Sequence, residues 1–247
     1  MENLKLFKDL QSLSLSLAEL CKNLVVTTTK NRDFYLAISG GSTPRQLFQT
    51  LARAQFSDLI PWHKLHIFWV DERCVPMDHP DSNYLLAKQA LFDHINLPPD
   101  NIHAIRGAAE PNMEALRYAE DVKSSLPKGE NGLPRFDLIL LGLGGDGHTA
   151  SLFPTGEAFK PGSENLLCRV AEHPGSRQKR ISMNLPLLNG AAEVVFMVSG
   201  SEKSGVVADI FLQRDGFNNY PAALVSPESG KLTWYLDHGA AQLLHLG

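Results

Sequence analysis

Cysteine is scarce in this 247-residue chain: Cys21, Cys74 and Cys168 are the three. Their odd number and wide spacing supply neither a disulfide framework nor a CxxC pair for zinc or redox work. Unpaired thiols fit a reducing compartment, so a cytoplasmic location is expected. Long apolar runs are also missing, and nothing approaches the ~20 residues of a membrane span. The opening MENLKLFKDL has no basic segment leading into an apolar stretch, so it is expected to join the fold rather than act as a secretory leader. Positive charge is not in excess either. Lys+Arg 23 against Asp+Glu 27 leaves a formal net charge of −4 with no basic block. Nucleic acid is therefore not an expected partner, because phosphate backbones are held by clustered cations. With 43% hydrophobic and 20% charged residues, the composition excludes a disordered chain.

What is present is an alternation of helical and strand patterns. Leu10, Leu13, Leu17, Leu20 and Leu24 recur at helical spacing, which predicts a helix over roughly 8–30. Short apolar runs at 34–38, 65–70, 136–141 and 193–198 read as buried strands, with shorter ones at 180–183 and 231–236. Helical stretches at 44–54, 82–93, 110–126, 201–214 and 237–244 fall between and after them. Residues 155–178 carry Gly, Pro and charge, and are expected to be an irregular surface excursion. Strands alternating with helices predict an α/β fold: three layers, a mainly parallel Rossmann-like sheet with helices on both faces. No linker-like stretch divides the chain, so 1–247 is read as one domain.

In open α/β sheets, ligands bind beyond the carboxyl ends of the strands. Four segments at such ends carry polar, Gly-rich or charged residues: 39–44, 71–73, 142–148 and 199–203. Two readings fit SGGSTP at 39–44. Thr43 can cap the next helix, with Pro44 in its first turn and Gln46 completing a T-x-x-Q capping box. Alternatively, Gly40, Gly41, Ser42 and Thr43 form an anion cradle of free N–H groups and hydroxyls at a helix N-terminus. The loop is neither the dinucleotide fingerprint nor the nucleotide P-loop, so a monophosphate is the expected anion.

Lys203 opposes the dipole of the helix it begins unless a phosphate compensates; the other reading is a solvated lysine. In Asp71-Glu72-Arg73, a salt bridge is the expected fate of Glu72. Arg73 suits a developing oxyanion or a phosphate. The Gly-rich run LGLGGDGHTAS at 141–151 places Asp146 and His148 two apart. A carboxylate beside an imidazole fixes its tautomer, as a general base requires; the carboxylate can alternatively cap the loop backbone. His63 and His66, three positions apart, have no nearby acid or Cys to complete a metal set, and His79, His94, His103, His173, His238 and His245, at loop or helix positions, are expected to be merely solvated. Ser151 lacks a nucleophile-elbow context. No metal set and no cofactor motif is expected.

Taken together, SGGSTP at 39–44, VDERCVPMDHPDSNY at 70–84, GLGGDGHTASLFP at 142–154, RISMNLPLLNGA at 180–191 and SGSEK at 199–203 resemble the 6-phosphogluconolactonase family. The stretches run across most of the chain in the family's order. The resemblance implies a sugar-phosphate-isomerase-like α/β fold and metal-free hydrolysis of a phosphorylated sugar lactone in the pentose phosphate pathway. It implies that His148 is the base, Arg73 steadies the lactone oxygen, and Gly41, Ser42, Thr43 and Lys203 hold phosphate. Arg180 matches the family's R-I-[ST] position, implying help with phosphate; Asp71 is expected among the substrate-binding residues. Many members carry an arginine shortly after L-N-x-A, where this chain reads Gly190-Ala-Ala-Glu193.

Glucosamine-6-phosphate deaminases, the nearest rival, continue their D-G-H loop as H-I-A-F-N-E-P. Phe153 stands here in the glutamate's place, and an apolar ring cannot relay a proton. A non-catalytic sugar-phosphate sensor is a third reading, but the chain has no spare length for a DNA-binding segment. Monomer and homodimer are both compatible with the sequence.

Overall fold

The computed structural model describes residues 3–154 and 166–244. Seven strands form a wholly parallel sheet: β1 (Leu4–Phe7), β2 (Phe34–Ile38), β3 (Leu65–Trp69), β5 (Ile102–His103), β6 (Leu138–Leu141), β9 (Glu193–Val198) and β10 (Lys231–Asp237). Their order is β1-β10-β9-β6-β2-β3-β5. The chain builds outward from β2 through β3 to β5, then crosses to β6 on the other side and builds toward β9 and β10. The β2/β6 junction is thus a topological switch point, where a crevice opens beyond the strand ends.

Successive residues of β3 show why both faces are covered. Ile67 meets α1 (Leu10–Thr28) and α2 (Ser42–Leu51) residues around a small apolar cavity. Phe68, pointing the other way, lies 6.4 Å from Tyr118 of α5 (Pro111–Ser125). The core strand β6, Leu-Ile-Leu-Leu, is buried at every position, as a strand covered on both faces must be.

Capping agrees with local chemistry at most helix starts. Asp9 and Ser12 form a reciprocal capping box for α1, Ser82 caps α4 (Asn83–Ala90), and Glu110 caps α5 with Pro111 in its first turn. The expected capping box at Thr43 and Gln46 does not form. α2 begins two residues earlier, with Gly41 at the N-cap (φ +111°) and no side-chain cap.

The strand at β1 was not evident from the sequence, because its short LKLF pattern becomes a strand only against β10. Two further expectations are corrected. Asp71–Arg73, read as a loop, is strand β4, and the stretch read as an irregular excursion contains β7 (Cys168–Glu172). Both pair antiparallel with β8 (Lys179–Met183), giving a second sheet in the order β4-β8-β7. Residues 155–165 of that excursion lie outside the described residues. The stretch expected to be one helix over 201–214 is a 3-10 turn, Ser201–Lys203, followed by α7 (Ser204–Phe211). Short helices α3 (Ala54–Ser57), α6 (Leu185–Asn189) and α8 (His238–Ala241) complete the chain.

Candidate active site

Four adjacent strands, β9-β6-β2-β3, deliver their following loops to one edge of the sheet. These are the loops singled out in the sequence. They enclose an open cavity of about 200 Å³ whose wall includes Gly40, Asp71, Arg73, His148, Arg180 and Lys203. Asp146 stands behind His148 rather than in the wall. Gly41, Ser42 and Thr43 follow Gly40 into the start of α2. With no side-chain cap there, the Ser42 and Thr43 amides have no intrahelical acceptor and offer themselves to an anion.

The loop after β6 is shaped around one imidazole. His148 Nδ1 lies 2.5 Å from Asp146 Oδ1, which also accepts the His148 backbone N–H at 3.2 Å. The carboxylate therefore both orients the ring and caps the turn. Burial pushes the Asp146 carboxyl up, but hydrogen bonding and charge from His148 outweigh it and hold it down at about 2. An ionised carboxylate only accepts, so Nδ1 carries a proton, and in the neutral ring Nε2 is the nitrogen with the lone pair. Gly144 makes this possible, since a Cβ there would come within 2.1 Å of His148 Nδ1 and 2.6 Å of Asp146 Oδ1. Gly147, at φ +82°, leaves room for the Tyr220 ring, which would be 2.2 Å from a Cβ. Ala222 N–H bonds the Gly147 carbonyl, so the 217–224 segment buttresses the turn from outside. Phe153 is buried with its ring centroid 4.9 Å from that of His148.

Arg73 and Arg180 face each other across the β4–β8 ladder. Arg73 Nη1 donates to the Asp81 carbonyl at 2.6 Å. Among the described residues the one carboxylate within 4.0 Å of Arg180 is Asp71, whose Oδ2 at 3.9 Å accepts the Ser151 hydroxyl at 2.5 Å, and the guanidinium lies over the Phe153 ring at 5.8 Å. Burial holds the Arg180 guanidinium below its ordinary pKa, and the charge of Arg73 adds to the effect. Lys203 sits at the N-cap of α7, without an ion pair among the described residues. Its loop is held by Asp237, which accepts from the Ser199 hydroxyl and the Gly200 amide. Three cations thus share one cavity with a single long ion pair among the described residues.

Glu72 does not form the expected salt bridge. Its two oxygens accept from the amides of Arg73, Asn83 and Tyr84 and from the Ser82 hydroxyl, at 2.8–3.0 Å. It anchors the start of α4, and burial raises its pKa against those bonds.

His103, read as solvated, instead stacks on Phe68 at 4.0 Å and bonds both His66 and Asp121. His173 is also more than solvated. Its Nδ1 accepts two backbone amides of its own turn, and its ring meets Phe153 edge-on at 5.2 Å. Asn83, in the cavity wall with its amide donating to the Asp71 carbonyl, was not singled out, nor was the Ser151–Asp71 bond. Their signal lay inside the DSNY and HTAS stretches, but only the cross-chain contacts give it meaning. Among the described residues, no three His, Cys, Asp or Glu side chains gather as metal ligands would, and no helix is long and apolar enough to cross a membrane.

The model of the glucosamine-6-phosphate isomerase/6-phosphogluconolactonase family matches residues 8–234. The chain belongs to that family. A 6-phosphogluconolactonase of Haemophilus influenzae is 40% identical over 226 residues, covering 92% of this chain and 94% of the relative. One of Synechocystis is 41% identical over 210 residues, covering 85% and 84%. The solved structure of the Trypanosoma brucei 6-phosphogluconolactonase superposes with a TM-score of 0.84 at 28% identity, covering 98% of each chain. Within this isomerase/lactonase family, the buried Phe153 beside His148 sets the chain apart from the deaminase pattern read from the sequence.

Proposed function

We propose that this chain hydrolyses 6-phospho-D-glucono-1,5-lactone to 6-phospho-D-gluconate, the second step of the oxidative pentose phosphate pathway, acting as one domain over 1–247 in the cytoplasm. The observation that carries the proposal is His148, oriented from behind by Asp146, in the wall of a cavity that Arg73, Arg180 and Lys203 also line. The relatives' shared name, 6-phosphogluconolactonase, supports the choice of reaction.

The phosphate is anchored by the amides of Ser42 and Thr43 at the start of α2 and by the Lys203 ammonium. Binding energy from that remote group orients the lactone ring. His148 Nε2 takes a proton from water as the water oxygen bonds to C1. Negative charge develops on the carbonyl oxygen, where the Arg73 guanidinium stabilises it; one such donor is typically worth about 3–4 kcal/mol. As the tetrahedral intermediate collapses, C1–O5 breaks and the ring oxygen receives the proton from Nε2. The new carboxylic acid ionises to solvent. Asp71 holds Ser151 and faces Arg180, which keeps the cation layer in place.

The test is hydrolysis of freshly generated lactone by wild type and His148→Ala, with spontaneous hydrolysis subtracted and a chelator present. Wild-type turnover is expected to survive chelation, and the variant to lose about 10²–10⁴-fold in kcat. Wild-type turnover abolished by the chelator would overturn the metal-independent route. No rate above background, with ammonia released from glucosamine 6-phosphate, would favour the deaminase instead.

A further inference from the structure

Arg73 and Arg180 are directly opposite each other in an antiparallel pair, so their side chains leave the same face of the ladder, and both line the cavity. Like charges placed so are destabilising unless an anion lies between them. The protein supplies little of one. Among the described residues Arg73 has no carboxylate within 4.0 Å, and Arg180 has only Asp71 at 3.9 Å. The Asp71 oxygen concerned is already bonded to Ser151, and Glu72 spends both oxygens on α4. The Nε atoms of both guanidiniums are buried without an acceptor.

We propose that the Arg73–Arg180 pair is a seat for the carboxylate that the reaction creates, so that the site retains open-chain aldonate phosphates in preference to ligands with phosphate alone. The inference rests on the lactonase reading and adds its regulation, product retention. C1 is uncharged in the lactone, bears an oxyanion in the intermediate, and ends as a carboxylate. Charge therefore grows at the end of the substrate that the two guanidiniums face. The phosphate end lies elsewhere. Its anchors, the start of α2 after β2 and Lys203 after β9, stand beyond other strand ends than that of β3, from which the chain runs into β4 and Arg73. A six-carbon chain with an anion at each end carries a partner for each set of groups, and a planar carboxylate is the partner that a guanidinium fork suits best.

Calorimetric titration tests this without turnover. The ligands are 6-phospho-D-gluconate, D-glucitol 6-phosphate (the same chain and phosphate with an alcohol at C1) and D-gluconate, each on wild type, Arg180→Met and Arg180→Lys. Wild type is expected to bind the aldonate phosphate at least tenfold more tightly than the alditol phosphate. Arg180→Met is expected to cut that preference to threefold or less while the alditol phosphate binds as before, and Arg180→Lys to restore part of it. A folding defect would weaken all ligands alike and leave the ratio intact. Equal wild-type affinities for the two phosphates would overturn the proposal, as would an Arg180→Met that weakens both in proportion, which would place Arg180 on the phosphate. Lactonase activity without the preference sinks the seat alone; the preference without lactonase activity sinks the proposed reaction and leaves the seat.

Discussion

The imidazole of His148 owes its tautomer to a carboxylate two residues away, and each member of the pair can be altered separately. Asp146→Asn replaces an acceptor-only group by one that also donates. Nδ1 then no longer has to carry the proton, and kcat is expected to fall about 10²-fold or more, with product affinity retained; an unchanged kcat would show that Asp146 only caps the turn. The same substitution has a stability signature. The Asp146 carboxyl is held at about 2 against an ordinary 3.8, so its contribution is present above 3.8 and is lost as pH falls through about 2. Unfolding free energies from urea titrations should therefore fall less steeply between pH 4 and pH 2 in Asp146→Asn than in wild type. Lys203 belongs at this scale too. Its ammonium has no ion pair among the described residues to lose, so Lys203→Ala is expected to raise KM about tenfold or more with little change in kcat. A loss confined to kcat would move it from phosphate to chemistry.

Between elements, the start of α4 is tied to β4 by the Asn83 amide on the Asp71 carbonyl and, above all, by Glu72. Glu72 accepts four hydrogen bonds from four different residues and is only 2% exposed. Glu72→Ala would strand buried donors at a helix N-terminus, costing about 2–4 kcal/mol; the urea midpoint reads it directly. A midpoint unchanged from wild type would mean that the Ser82 cap suffices. α2 takes the opposite course, starting without any side-chain cap. Residues 42–46 contain a serviceable capping sequence, yet Gly41 carries the turn and leaves the first amides turned outward. That difference separates a helix start used for architecture from one available to a ligand.

At the scale of the whole molecule, the layers leave a packing defect between the helices and the sheet. An apolar cavity of about 10 Å³ lies where α1 and α2 meet the sheet, lined by Cys21, Val25, Phe48, Ile67 and Leu140 among others. That is room for one methyl group, so Val25→Ile is expected to stabilise the fold by about 0.8 kcal/mol and raise Tm. A lower Tm would show that the surrounding side chains cannot yield. The three cysteines add nothing reactive to the surface of the fold. Burial pushes Cys21 and Cys168 up to about 12 and Cys74 up to about 11.

Much of this protein was legible in its residues, for a physical reason. Strands buried on both faces must be continuous apolar runs, as at Glu193–Val198 and Leu138–Leu141, and helices between them must carry a 3.6-residue stripe. A parallel α/β fold then places ligands at the strand ends, and the residues at those ends, from Gly40 to Lys203, could be named before any coordinates. Residues two apart in a glycine-rich turn, Asp146 and His148, could be paired because their contact is local. Contacts between distant segments could not be read this way. The three-residue strand Asp71–Arg73 has no periodicity of its own, and only pairing with Lys179–Met183 makes it a strand and sets Arg73 opposite Arg180. Glu72 seemed destined for a salt bridge because its charge is local information, whereas the α4 amides it serves arrive only when the chain folds back. Sequence determined the layers and the Asp146–His148 pairing; the tertiary structure decided which cations stand opposite each other, because that depends on register between strands far apart in the chain.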